Sequence, residues 1–175
     1  LVNDTNTYES VVNWAIPQFE GKMDLPKELL DNYKNDFGKA YRAIPRQVIH
    51  RDPNPGNIIL SEKEWGFIDF ELSERNVRIF DPCYAATAIL SESFAEGDAQ
   101  KLIKWVDIYK NIIYGYDAVV TLTDEEKGAV PYVVLSNQLL ATAWFSDKEK
   151  FKELYEVNKK MTEWIAGHFE ELKIE

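Results

Sequence analysis

Three oxygen-bearing side chains in the middle of the chain have types and spacing that suit one kind of chemistry. Asp52 and Asn57 lie five positions apart in the stretch His50-Arg51-Asp52-Pro53-Asn54-Pro55-Gly56-Asn57, and Asp69 follows twelve residues after Asn57 in Gly66-Phe67-Ile68-Asp69-Phe70-Glu71. A carboxylate can orient a hydroxyl and accept its proton, while a carboxamide oxygen and a second carboxylate can ligate a hard cation such as Mg²⁺. Phosphoryl transfer from a nucleotide asks for these groups, because the reaction depends on positioning and charge stabilisation more than on covalent chemistry. Pro53 and Pro55 restrict φ, and Gly56 is expected to permit a turn that other residues resist. The loop should therefore hold Asp52 and Asn57 on opposite sides of one small cavity.

The elements that must position these groups can be read from periodicity. Apolar residues recur at helical spacing over 8–19 and 26–44, where Leu29, Leu30, Tyr33, Phe37, Ala40, Tyr41 and Ile44 share a face. Short apolar runs follow at 47–50, 57–60 and 65–70. They read as strands, the last two forming a hairpin through the polar turn 61–64 that brings Asn57 and Asp69 to the same end. Helical periods return over 82–93, 98–116, 124–146 and 148–172; Thr123, with Glu126 three residues on, marks one N-terminus as a capping box. The expected class is α+β, mainly α, with a small β insert at 46–72. There is no repeat or linker to suggest a second domain.

Composition narrows the setting. A chain of 175 residues is long enough for one domain with a core, and no apolar run reaches the length of a membrane span. The start lacks the features of a signal peptide, and the single Cys83 has no disulfide partner; a cytoplasmic setting is expected, with Cys83 a buried apolar residue. A net charge of −10 argues against nucleic acid as a partner and would suit a cationic small substrate. His168 and the aromatic series Trp105, Tyr109, Tyr116 and Trp144 are read as helix core, although aromatic faces beside carboxylates also suit an ammonium group.

The pattern HxDxxxxN, followed by an apolar strand and Ile68-Asp69-Phe70-Glu71, resembles the core of the protein-kinase-like superfamily. The nearest branch is the aminoglycoside phosphotransferase and choline kinase-like family. The resemblance is detailed from about Pro45 to Leu90 and extends in outline through the helices. It implies that Asp52 is the catalytic base, that Asn57 and Asp69 hold Mg²⁺, that His50 braces the metal-binding segment, and that ATP is the co-substrate. It further implies a small-molecule hydroxyl as acceptor, such as an aminoglycoside, amino alcohol or sugar. Two positions depart from the family pattern. Arg51 stands where glycine is usual and is expected to make a local salt bridge or packing contact. Ala85 stands where the family's DPxY stretch is followed by an aspartate, so Asp81 is expected to take over the anchoring as N-cap of the helix that Pro82 begins.

A kinase also needs a glycine-rich cover and a lysine for the ATP phosphates, and residues 1–45 contain only Gly21 and Gly38. The nucleotide-binding residues are therefore not identified here. The chain, which begins with Leu, is expected to be the C-terminal lobe of a longer kinase whose N-terminal nucleotide lobe is its partner, and to be inactive alone. The competing expectation is a catalytically silent kinase-like scaffold; retention of Asp52, Asn57 and Asp69 together disfavours it.

Overall fold

The computed structural model describes residues 2–19, 21–95 and 99–175. The helical stretch 7–19 comprises α1 (Thr7–Ser10), a π-helical segment Val11–Ala15 and α2 (Ile16–Phe19). Asn6 caps its start by accepting the Glu9 N–H. The stretch 27–41 repeats the arrangement with α3 (Lys27–Asn32), a π-helical segment Tyr33–Phe37 and α4 (Gly38–Tyr41). Four longer helices follow: α5 (Phe80–Ala95), α6 (Ala99–Val120), α7 (Asp124–Phe145) and α8 (Lys152–Gly167). Short 3₁₀ turns flank α8 where a single helix over 148–172 was expected. The expected α6 start at 98 lies outside the described residues.

Helix α7 runs through the middle of this body and is buried along most of its length. Its apolar neighbours form one core, with Trp105, Tyr109, Leu135, Leu139, Met161 and Ile165 fully enclosed. Aromatic rings of the first two stretches pack against it: Tyr33 lies 4.9 Å from Phe37, and Phe37 stacks on Tyr132 at 5.0 Å. The capping box at Thr123 and Glu126 is present with both of its hydrogen bonds. Mainly helical with small sheets, the architecture agrees with the class expected from periodicity.

The sheets depart from expectation by addition. The hairpin pairs β3 (Ile58–Leu60) with β4 (Trp65–Phe67), as expected. A second sheet has the order β1-β5-β2, built from β1 (Asn3–Asp4), β5 (Glu74–Val77) and β2 (Arg46–Ile49). β5 was not expected because Glu-Arg-Asn-Val has neither an apolar run nor alternation. Two of its polar side chains, Glu74 and Asn76, are buried as connectors: Asn76 donates to Thr7 Oγ1 (2.7 Å) and to Glu74 Oε1 (2.9 Å), and accepts from the Tyr41 hydroxyl (2.9 Å). Both helical stretches are thereby tied to the sheet, with every partner satisfied.

Arg78, just after β5, forms a two-pronged pair with the fully buried Glu126, at 2.6 and 2.7 Å, and donates to the Thr121 carbonyl. Removing one member of such a pair leaves the other charge uncompensated, so Glu126→Ala should lower unfolding stability by about 3 kcal/mol or more. Urea unfolding followed by circular dichroism measures this, and a loss under about 1 kcal/mol would show that Arg78 rehydrates freely.

Candidate active site

The 50–57 loop leaves β2 and enters the hairpin, held from below by Asp81 near the start of α5. One Asp81 oxygen accepts the His50 N–H at 2.8 Å and the other the Arg51 N–H at 3.0 Å. The expected N-cap role for Asp81 is therefore corrected: α5 already begins at Phe80, which puts Asp81 inside the first turn with its carboxylate turned to the loop. Burial pushes the Asp81 pKa up, and the two N–H donors oppose that shift.

Anchored in this way, Arg51 adopts a left-handed backbone (φ 80°), which costs a non-glycine residue free energy. Its Nε donates to Glu74 Oε1 at 2.8 Å, and its guanidinium lies over the Phe80 ring at 5.2 Å. Glu74 also accepts from Thr5 Oγ1 at 2.7 Å. Arg51 is thus a salt-bridge and packing residue. Nothing in the sequence singled out Glu74, since its importance depends on the undetected β5.

His50 braces the loop against the hairpin. Its Nδ1 accepts the Asp52 N–H at 3.3 Å, which assigns the other proton to Nε2, and Nε2 donates to the Ile68 carbonyl at 2.8 Å. The ring packs 4.5 Å from Phe70 and 5.5 Å from Phe67. One buried imidazole thus connects the residue before Asp69 to Asp52.

Asp52 and Asn57 are direct neighbours rather than opposite walls of a cavity. Asn57 Nδ2 donates to the Asp52 backbone carbonyl at 2.9 Å and to Oδ2 at 3.1 Å, while Asn54 Nδ2 donates to Oδ1 at 2.9 Å. With Nδ2 occupied, the Asn57 amide presents Oδ1 as its remaining acceptor. The Tyr84 hydroxyl also faces Asp52; burial first, and then this hydrogen bond, push its pKa up to about 12, so it stays a donor. Gly56 has no positive φ. It is small because a Cβ there would sit 3.0 Å from Asn54 Oδ1, the atom that accepts the Gly56 N–H at 2.8 Å.

Asp69 stands at the same hairpin end as Asn57. The Ile68 N–H donates to the Asn57 carbonyl at 3.0 Å, extending the β3–β4 register by one pair. Asp69 takes a left-handed backbone (φ 64°), which aspartate tolerates better than most residues. Of the three non-glycine residues with positive φ among those described, two are Arg51 and Asp69. Strain of this kind persists where the surroundings impose it, and here it clusters around the chemistry-bearing side chains. No group of three or more His, Cys, Asp and Glu side chains able to hold a metal occurs among the described residues, so a cation here would rely on Asp69, the Asn57 amide and its own further ligands.

Beside Asp52 opens a cavity of about 690 Å³. Thr5, Thr7, Trp14, Tyr84, Asn137 and Trp144 are among its lining residues. Trp144, grouped with core aromatics in the sequence, is half-exposed at this wall, whereas Trp105 and Tyr109 are enclosed. His168 is half-buried at the end of α8, stacked on Trp164 with Nδ1 bonded to the Trp164 carbonyl. Cys83 is buried, and its thiol lies 3.7 Å from the Val130 carbonyl. Among the described residues no helix is long and apolar enough to cross a membrane.

Comparison with known proteins adds an independent line. No curated protein and no solved structure matches the chain. The model of the phosphotransferase enzyme family matches residues 10–110, a span that takes in the 50–57 loop, the hairpin with Asp69 and all of the described α5. That is more than half of the 175 residues, and the chain belongs to the phosphotransferase enzyme family.

Proposed function

We propose that the chain is the catalytic and acceptor-binding lobe of an ATP-dependent small-molecule kinase, with Asp52 as the base that receives the acceptor's hydroxyl proton. The observation that carries this reading is the direct link between Asp52 and Asn57, with Asp69 at the same hairpin end and an open cavity beside Asp52. Asp52 accepts hydrogen bonds at both carboxylate oxygens from Asn54 and Asn57, which fixes its orientation toward a bound hydroxyl. Family membership supports phosphoryl transfer as the reaction class.

Asn57 and Asp69 fit Mg²⁺ by donor chemistry. Both offer hard oxygen, and the Asn57 amide is turned by its Nδ2 bonds so that Oδ1 is left over. When bound, the cation would neutralise charge on the transferring phosphate. His50 and Asp81 are positioning residues: His50 ties Asp52 to Ile68, and Asp81 holds the loop from the helix side.

The groups that grip a triphosphate belong, in this reading, to an N-terminal nucleotide lobe of the same protein. An apolar surface on the hairpin supports it, because Leu60 and Trp65 are 77% and 69% exposed and Ile59, Phe70 and Leu72 are exposed beside them. The lone buried Cys83 and the use of ATP favour a cytoplasmic setting. The test is ADP release in the presence of hydroxylated small molecules, comparing the isolated chain with the protein that carries the nucleotide lobe. The lobe-bearing protein should turn over at least one acceptor, while the isolated chain folds, gives a helical circular dichroism spectrum and releases no ADP. Robust ADP release by the isolated chain would mean that the nucleotide site has been misplaced.

A further inference from the structure

Asn137 is the one residue among those described whose buried side-chain polar atoms, Nδ2 and Oδ1, both lack a partner. It is 6% exposed and lies in the wall of the cavity beside Asp52. Its neighbours on α7 show that the helix is otherwise well satisfied. Ser136 Oγ bonds the Tyr33 hydroxyl at 2.6 Å and the Tyr132 carbonyl at 2.7 Å, and Gln138 Nε2 reaches Asn158 Oδ1 at 2.9 Å. Buried polar groups are normally paired, so an amide left with both ends unpaired at a cavity wall points to a ligand that pairs it.

We infer that Asn137 is a specificity-determining residue that grips the phosphoryl acceptor, and that the acceptor is a neutral polyhydroxylated molecule of the sugar or polyol class; this rests on the phosphotransfer reading above. The amide offers one acceptor and two donors side by side, which two adjacent hydroxyls match, one donating to Oδ1 and one accepting from Nδ2. A third hydroxyl of the same molecule then faces Asp52. Asn137, Leu140, Ala141 and Trp144 recur at the spacing of one helix face, and with Trp14 they give an apolar and aromatic wall for the C–H face of a ring.

Charge argues against a cationic acceptor, although the chain as a whole is acidic. The ionisable carboxylate and cation lining the cavity are Asp52 and Arg51, and Arg51 is paired with Glu74. Among the described residues no second carboxylate lines the cavity to hold an ammonium. The Lys148 ammonium already lies 3.2 Å from the centre of the Trp144 ring, so a ligand cation there would meet like charge. Both amide atoms of Asn137 are shielded from solvent, so a wall side chain must turn aside to admit the ligand. Trp14 and Trp144, 42% and 49% exposed, line the same cavity.

The test uses the 175-residue chain and binding, which needs no nucleotide. Ligand-observed NMR is run separately with D-ribose, D-glucose, myo-inositol and glycerol as neutral probes, and with choline and kanamycin as cationic ones. At least one neutral probe should bind more tightly than either cation, and Asn137→Ala should weaken it about tenfold or more. Asn137→Leu, near in volume and free of unpaired polar atoms, should raise the melting temperature while abolishing that binding, a combination that a purely structural asparagine would not produce. Failure of every neutral probe to bind, tighter binding of choline or kanamycin, or unchanged affinity in both variants would overturn the assignment. Polyol binding through Asn137 without phosphotransfer in the lobe-bearing protein would sink the kinase reading alone; phosphotransfer to a cation would sink this one alone.

Discussion

Asp52→Asn in the protein that carries the nucleotide lobe is expected to lower turnover by about 10²- to 10⁴-fold, the range typical of losing a general base, while its apparent affinity for MgATP stays near that of the parent. The separation of the two effects follows from the loop geometry. Asparagine keeps the volume of Asp52 but turns one of its two acceptors into a donor, so either Asn54 or Asn57 must face it N–H against N–H. Asn57 is held independently, because its Nδ2 also donates to the backbone carbonyl of residue 52 at 2.9 Å. The strain therefore falls on Asn54, which is tied to residue 52 through its side-chain contact. Asn57 keeps its oxygen available and nucleotide binding survives. Steady-state kinetics in ATP and in acceptor would separate the effects, and retention of more than about a third of parental turnover would remove Asp52 from the role of base.

The second large effect is expected at Asp69. Alanine is a poor probe there, because the left-handed backbone (φ 64°) suits Asp and Asn and would add strain of about 1–2 kcal/mol for a residue with an ordinary Cβ. Asp69→Asn keeps the backbone and removes only the charge. It should cost several kcal/mol of transition-state stabilisation, on the order of 10³-fold in turnover, because in the proposed site Asp69 would be the anionic metal ligand. Raising Mg²⁺ should restore part of the activity of Asn57→Ala, where a neutral ligand is lost, and little of that of Asp69→Asn. Identical Mg²⁺ dependence for the parent and both variants would refute the metal assignment.

Much of this arrangement was legible in the sequence because its signals are local. The capping box at Thr123 and Glu126, the hairpin around Ser61–Glu64 and the two-proline loop each depend on residues a few positions apart. What escaped was non-local and polar. β5 reads as a charged loop, and its strand character comes from pairing with β2 and from the buried contacts of Glu74 and Asn76, with partners as distant as Thr5, Thr7 and Arg51. Asp81 looked like a helix cap by position, yet its acceptors are taken by N–H groups thirty and thirty-one residues earlier. Trp144 and Trp105 carry the same sequence signal, and only packing separates the cavity wall from the core. Asn137 could not be distinguished from any polar residue on a helix until its burial and missing partners were known.

Asp52, Asn57 and Asp69 are expected to act as one site that binds a cation. The most direct measurement is paramagnetic broadening of the ¹⁵N-labelled chain by trace Mn²⁺, which occupies hard-oxygen sites much as Mg²⁺ does. The Asn57 side-chain amide and the backbone amides of Ile68 and Asp69 should broaden first, and Asp69→Asn should abolish their selective loss. Broadening that begins instead at exposed acidic residues such as Glu170 and Glu171, unchanged by Asp69→Asn, would contradict that expectation.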